Sequence, residues 1–128
     1  MTLLQDLVAS RDLLVKDGWV AHKLRDSETG ARCAVGAVLD ATGNEDLDAF
    51  TYGEMNERGV AAVDALYNLL PVGWKGYREA SLTTKAICIA DYNNGRGEQP
   101  TVKLFENAID ALAPAAVGCG VRQIGVFR

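Results

Sequence analysis

Cys33 is the residue whose type and setting point most directly to chemistry. It stands ahead of the small-residue run Ala34-Val35-Gly36-Ala37, which reads as the start of a helix. A thiol at a helix N-terminus is acidified by the exposed amides and the macrodipole, as a nucleophile requires. His22 is the one histidine in the chain to serve as base, with Asp91 or Asn93 to orient it. The competing reading is structural: a free cysteine fills space beside Ala34, Gly36 and Ala37, where another element can pack closely. A zinc site would have to gather Cys33, Cys88, Cys119 and His22. No two of these cysteines have the Cys-x-x-Cys spacing of structural zinc sites, so no metal or cofactor is expected. Cys88, inside Ile87-Cys88-Ile89, reads as core.

A second candidate is a ligand loop made of Asn93, Asn94, Gly95, Arg96 and Gly97, followed by a helix start at Thr101. Glycines free backbone amides to point at one spot, and a helix N-terminus attracts anions. Arg96 would complete a site for a phosphate or carboxylate group. Glu98 lies in the same loop, and the glycine pattern matches no Walker or dinucleotide fingerprint. The bland alternative is a turn between two helices, with Asn94 or Gly95 at positive φ. Trp19, Trp74, Tyr77 and Phe127 form a third group, which would serve as partner-binding aromatics or close the ends of a small core.

The elements that must hold these residues read as mostly helical. Thr2 and Gln5 have the capping-box spacing, and Leu4, Leu7, Val8, Leu14 and Val15 recur at helical period, predicting a helix over 3–17 that stops at Gly18. Residues 19–24 and 31–34 flank a polar turn at 26–30. They read as a short hairpin or as an irregular loop with Trp19 plugged into the core. Helices are then predicted over 33–41, over 54–70 with Pro71 as its stop, and from an N-cap at Ser81 to Tyr92. The run 86–90 alone would also suit a buried strand. A last helix is capped by Thr101, lined by Val102, Phe105, Ile109 and Leu112, and ended by Pro114. The glycine- and valine-rich tail over 115–128 reads as packed on the helical domain of 1–114 or extended from it. The fold class is therefore mainly α, a single domain of about five helices. A small β element is placed in the 19–33 hairpin, in the tail, or in both.

Composition narrows the classes. The chain has 128 residues, 13 Lys+Arg against 17 Asp+Glu, and a net charge of −4 spread without blocks. That balance argues against direct nucleic-acid binding, which calls for a basic stripe. Three widely spaced cysteines do not make a disulfide framework, and Met1 to Asp6 lack the basic and apolar regions of a signal peptide. The seven-residue apolar run at 33–39 is too short to span a bilayer. The expected location is the cytoplasm of a bacterium or of an infected host cell, with no membrane association.

Taken in order, these pieces resemble a family of small bacterial and phage proteins known only as a domain of unknown function. The shared pieces are Trp19 after the first helix, the Cys-x-x-Gly-Ala start at Cys33, Gly36 and Ala37, and the aromatic-Asn pair Tyr92-Asn93 before the last helix. Asn94 stands where the family carries an acidic residue, which weakens acid–base or metal chemistry as something the resemblance implies there. The resemblance spans residues 3–112. It implies a helical fold and brings no activity with it.

Without a complete catalytic set, the expected function is non-enzymatic binding of a protein partner, as in a phage-encoded modulator or inhibitor of a host process. The first alternative is a binder of a small anionic, phosphate- or nucleotide-like ligand at residues 93–97 and Thr101. The second is an enzyme dependent on Cys33. Through the tail, Val126 and Phe127 would add a strand to a partner or to a second copy of the chain.

Overall fold

Thr2 and Gln5 set the start of α1 (Leu3–Asp17). The Gln5 amide donates to the Thr2 hydroxyl at 3.1 Å, and the Thr2 amide donates back to the Gln5 side chain at 2.9 Å. The computed structural model describes residues 2–76 and 80–117, with side chains described as far as residue 112. Helix α1 buries Asp6, Leu7, Ser10 and Leu14, whereas Val15, expected on the apolar face, is 63% exposed.

The short α2 (Ala34–Ala41) is the centre of the molecule. Ala34, Val35, Gly36, Ala37, Val38 and Leu39 are all buried, and the helix touches α1, α3 and α4. A helix that is apolar all round has no solvent face to keep, so it must be wrapped by others. Helix α3 (Glu57–Asn68) begins three residues later than the apolar pattern suggests. Asn56 is its cap, accepting from the Gly59 amide at 2.9 Å, and Tyr52–Glu54 forms a separate 3-10 turn. Its buried face is Gly59, Ala62, Val63, Leu66 and Tyr67.

Helices α4 (Leu82–Arg96) and α5 (Glu98–Val117) depart most from expectation. Ser81 caps α4 as predicted, but Asn93, Asn94 and Gly95 are helical and form no turn. Within residues 93–97, positive φ falls on Gly97, at 92°. Gly95 is glycine for a packing reason: a Cβ there would lie 2.5 Å from the Trp74 ring. On α4, Ile87 is exposed and Cys88 half-buried, while Ala86 and Ile89 face the core. Helix α5 starts directly after Gly97, so Thr101 is not its cap. Thr101 is buried in the first turn, its hydroxyl donating to the Gly97 carbonyl at 2.7 Å. The buried face of α5 is Thr101, Leu104, Phe105 and Ala108, a rotation from the predicted stripe that leaves Leu112 exposed. The helix also runs past Pro114.

Among the described residues there is no strand. The expected hairpin is a loop that makes two isolated bridges, Trp19 with Arg32 and Arg25 with Arg32. His22, at a φ of 68°, turns the chain out of any extended register between them. The tail residues 118–128 lie outside the described residues, while 115–117 belong to α5.

One buried charge ties the helices together. Asp6 on α1 is 1% exposed and takes two hydrogen bonds from Arg58 on α3, at 2.9 and 3.1 Å. Arg58 also donates to the Ala41 carbonyl at the end of α2, at 3.0 Å. Helix α1 packs on α2 and α5, and α3 on α4, so the core runs through the middle of all five. Leu7 and Phe105 are fully buried in it. Leu7→Asp and Phe105→Asp should each abolish the cooperative thermal transition in circular dichroism, because neither site offers a partner for a carboxylate. Leu112→Asp, on the exposed side of α5, should melt within about 1 kcal/mol of the parent.

Candidate functional site

Asn93 connects the elements that carry the sequence motifs. It is fully buried on α4, and its side chain joins three segments distant in sequence. Its Oδ1 accepts from the Trp19 indole at 2.7 Å and from the Ala34 amide, the first of α2, at 3.0 Å. Its Nδ2 donates to the Val20 carbonyl at 3.1 Å and to Asn94 Oδ1 at 3.1 Å. Asn94 Oδ1 in turn accepts from the His22 amide at 2.8 Å. A buried primary amide has two donor hydrogens and a two-lone-pair oxygen, and Asn93 has a partner for each.

Cys33 caps α2 beside this node. Its Sγ accepts from the Gly36 amide at 3.4 Å, and its own amide donates to the Leu24 carbonyl at 3.1 Å. That carbonyl lies so close to α2 that a Cβ on Gly36 would come within 2.1 Å of it. The Cys-x-x-Gly pattern thus has a physical meaning: sulfur at the cap, and no side chain where the loop crosses the first turn.

The expectation of an acidified thiol is overturned. The helix N-terminus is there, but burial dominates and pushes the Cys33 thiol above its ordinary pKa, against the lowering pull of the Gly36 and Val35 amides. Cys33 and His22 do line one small cavity, together with Tyr52 and Asn94. Asp91 is exposed on α4 and is not part of that lining. Among the described residues no hydrogen bond joins the His22 imidazole to Cys33 or Asp91.

The ligand-loop residues are likewise dispersed. Asn93 and Asn94 hold the 19–33 loop, Gly95 faces Trp74, and Arg96 is exposed at the end of α4. Thr101 is turned inward. Trp19 is half-buried on the node, and Trp74 packs edge-on against Tyr92 with ring centroids 5.5 Å apart. Tyr77, Phe127 and Cys119 lie outside the described residues. Among the described residues no three His, Cys, Asp or Glu side chains gather to hold a metal.

Two features carried no sequence signal. One is the cluster in which Asp40, on α2, accepts from both Arg25 and Arg32, with Arg32 also paired to Asp17 at 2.7 Å. Burial works to raise the Asp40 pKa, but the two guanidinium hydrogen bonds outweigh it and hold the carboxyl below its usual value. The other is a groove of about 850 Å³ along the first half of α5, bounded by Val15, Leu69, Pro71, Tyr92 and Val102. Its residues come from four parts of the chain with no shared motif.

A model described as a family of unknown function (DUF6197) matches residues 1–115. The chain belongs to that family. Its match takes in the Asn93 node, the α2 start and the groove alike. No curated protein and no solved structure matches the chain.

Asn93→Ala would strand the Trp19 indole, the Ala34 amide and the Val20 carbonyl. Each unsatisfied buried group costs about 1–3 kcal/mol, so chemical denaturation should show a loss of roughly 3 kcal/mol or more. Cys33 should react with iodoacetamide at neutral pH far more slowly than an unhindered thiol, and label fully only in denaturant. Peptide mapping would assign the label to Cys33 apart from Cys88 and Cys119.

Proposed function

We propose that the protein is a non-enzymatic binding protein that receives an apolar segment of a protein partner along α5. The observation that carries this reading is the groove of about 850 Å³ in which Val15, Leu69 and Val102 lie beside Glu98 and Glu106. Val15 and Leu69 are exposed, which a monomer tolerates singly, but here both border one groove. The groove's size is in the range of sites that bury a ligand chain, and a helix or extended segment laid against a helical groove is a common recognition mode. Two carboxylates against the single cation Lys103 favour a partner segment with a Lys or Arg among its apolar side chains.

The motif residues support the same reading. Trp19, Cys33 and Asn93 are engaged in holding the loop and α2 together, and the raised thiol pKa works against a nucleophile. The anion-binding alternative has lost its loop, because residues 93–96 are helical. No helix among the described residues is long and apolar enough to cross a membrane, and Cys33 and Cys88 are free thiols. Free thiols suit the reducing cytoplasm of a bacterium or an infected host cell, which is where we place the protein.

A photo-crosslinking residue at Val102, compared with one at Glu28 on the far loop, tests this in cells that express the protein natively. Val102 should give one discrete adduct, absent from Glu28 and lost in Val15→Asp. Its crosslinked peptide should be apolar with a basic residue. No discrete adduct, an acidic peptide, or a peptide of the protein itself would overturn the reading.

A further inference from the structure

The loop held by Asn94 roofs a cavity of about 170 Å³ on the side of α4 away from the groove. Its floor is Cys33 and Tyr52, both buried, and its mouth carries His22 and Lys23, both exposed. Tyr52 is 4% exposed, and its hydroxyl makes no hydrogen bond among the described residues. A buried hydroxyl without a partner is unusual in folded proteins and calls for an explanation. Burial pushes its pKa up to about 12, with nearby Cys33 and Asp48 acting in the same direction. At neutral pH it therefore keeps its proton and can donate it to an acceptor.

No carboxylate lines the cavity, and Lys23 brings a positive charge to its mouth. Asn94 Oδ1 already accepts from the His22 and Asn93 side, so the group it has left to offer is its Nδ2 donor. Leu24, Ala49 and Ala90 supply apolar wall. The volume is close to that of a cavity that holds a single benzene ring, about 150 Å³.

From the unpartnered Tyr52 hydroxyl, the lysine at a mouth without carboxylates and the one-ring volume, we infer that this cavity binds a small monocarboxylate. The Tyr52 hydroxyl donates to a carboxylate oxygen, Lys23 balances the charge from the mouth, and the apolar body lies against Leu24, Ala49 and Ala90. The site is separate from the α5 groove and needs no reaction at Cys33.

The test uses the full chain, labelled with nitrogen-15 and titrated with benzoate. Saturable shifts should appear at the amides of Cys33, Tyr52 and Asn94. Benzyl alcohol, a ring of the same size without the charge, should produce none. Tyr52→Phe and Lys23→Met should each weaken benzoate by about tenfold or more. In the ligand-free protein Tyr52→Phe should melt at the parent temperature or above it, since it removes a hydroxyl without a partner. Absence of saturable shifts, shifts confined to the α5 groove, or inorganic phosphate binding as well as benzoate would overturn the proposal. So would a lowered melting temperature for Tyr52→Phe, which would mean that its hydroxyl is already satisfied.

Discussion

One buried amide holds the 19–33 loop and the start of α2 against α4. Asn93 lies on α4 with no exposed surface, and its four hydrogen-bonding directions reach the Trp19 indole, the first amide of α2, the Val20 carbonyl and the neighbouring Asn94. In low dielectric such bonds are strong when complete and costly when broken, so a node of this kind specifies one arrangement of its neighbours. The 19–33 loop has no ladder of its own; besides a few backbone bonds, such as those of Val20 to Arg32 and Cys33 to Leu24, it is held by this node and by the Asp40 cluster with Arg25 and Arg32. Loop and helix then approach so closely at Gly36 that no other residue fits. The cavity with Tyr52 on its floor exists because the loop is held at that distance and is not collapsed onto α4.

Much of this architecture is legible in the residues before any coordinates. The capping box at Thr2 and Gln5, the Ser81 cap and the apolar period of α3 are local signals, and the structure follows each. The family motifs were legible as pieces too, but their meaning was not. Trp19, Cys33 and Asn93 looked like recognition, nucleophile and ligand-loop residues because sequence displays type and order, whereas their partners lie up to 74 residues away. The Asn-Asn-Gly run illustrates the point. Its turn propensity is real, yet a buried network at Asn93 and the Trp74 ring over Gly95 keep the helix going, and tertiary packing overrides the local preference.

The Cys33 thiol shows a related limit. Two effects act on Cys33 in opposite directions, and the sequence shows only one of them. The helix N-terminus can be inferred from Ala34-Val35-Gly36-Ala37, but burial depends on the loop and on α4, and it is the larger effect. The groove along α5 and the cavity beneath Tyr52 were invisible for a simpler cause. Each is an empty volume bounded by residues from separate segments, and no spacing rule encodes it.

The junction at Gly97 has a consequence for how this fold can vary. Helices α4 and α5 meet through that single left-handed residue, so the two helices are locked in phase. Asn93 faces the loop only while Phe105 faces the core. An extra residue in the junction would turn one helix by about 100° relative to the other and uncouple those two anchors. Natural length variation should therefore collect in the connection between α2 and α3, where a longer chain has room. The α4–α5 junction should keep its length, whatever the protein binds.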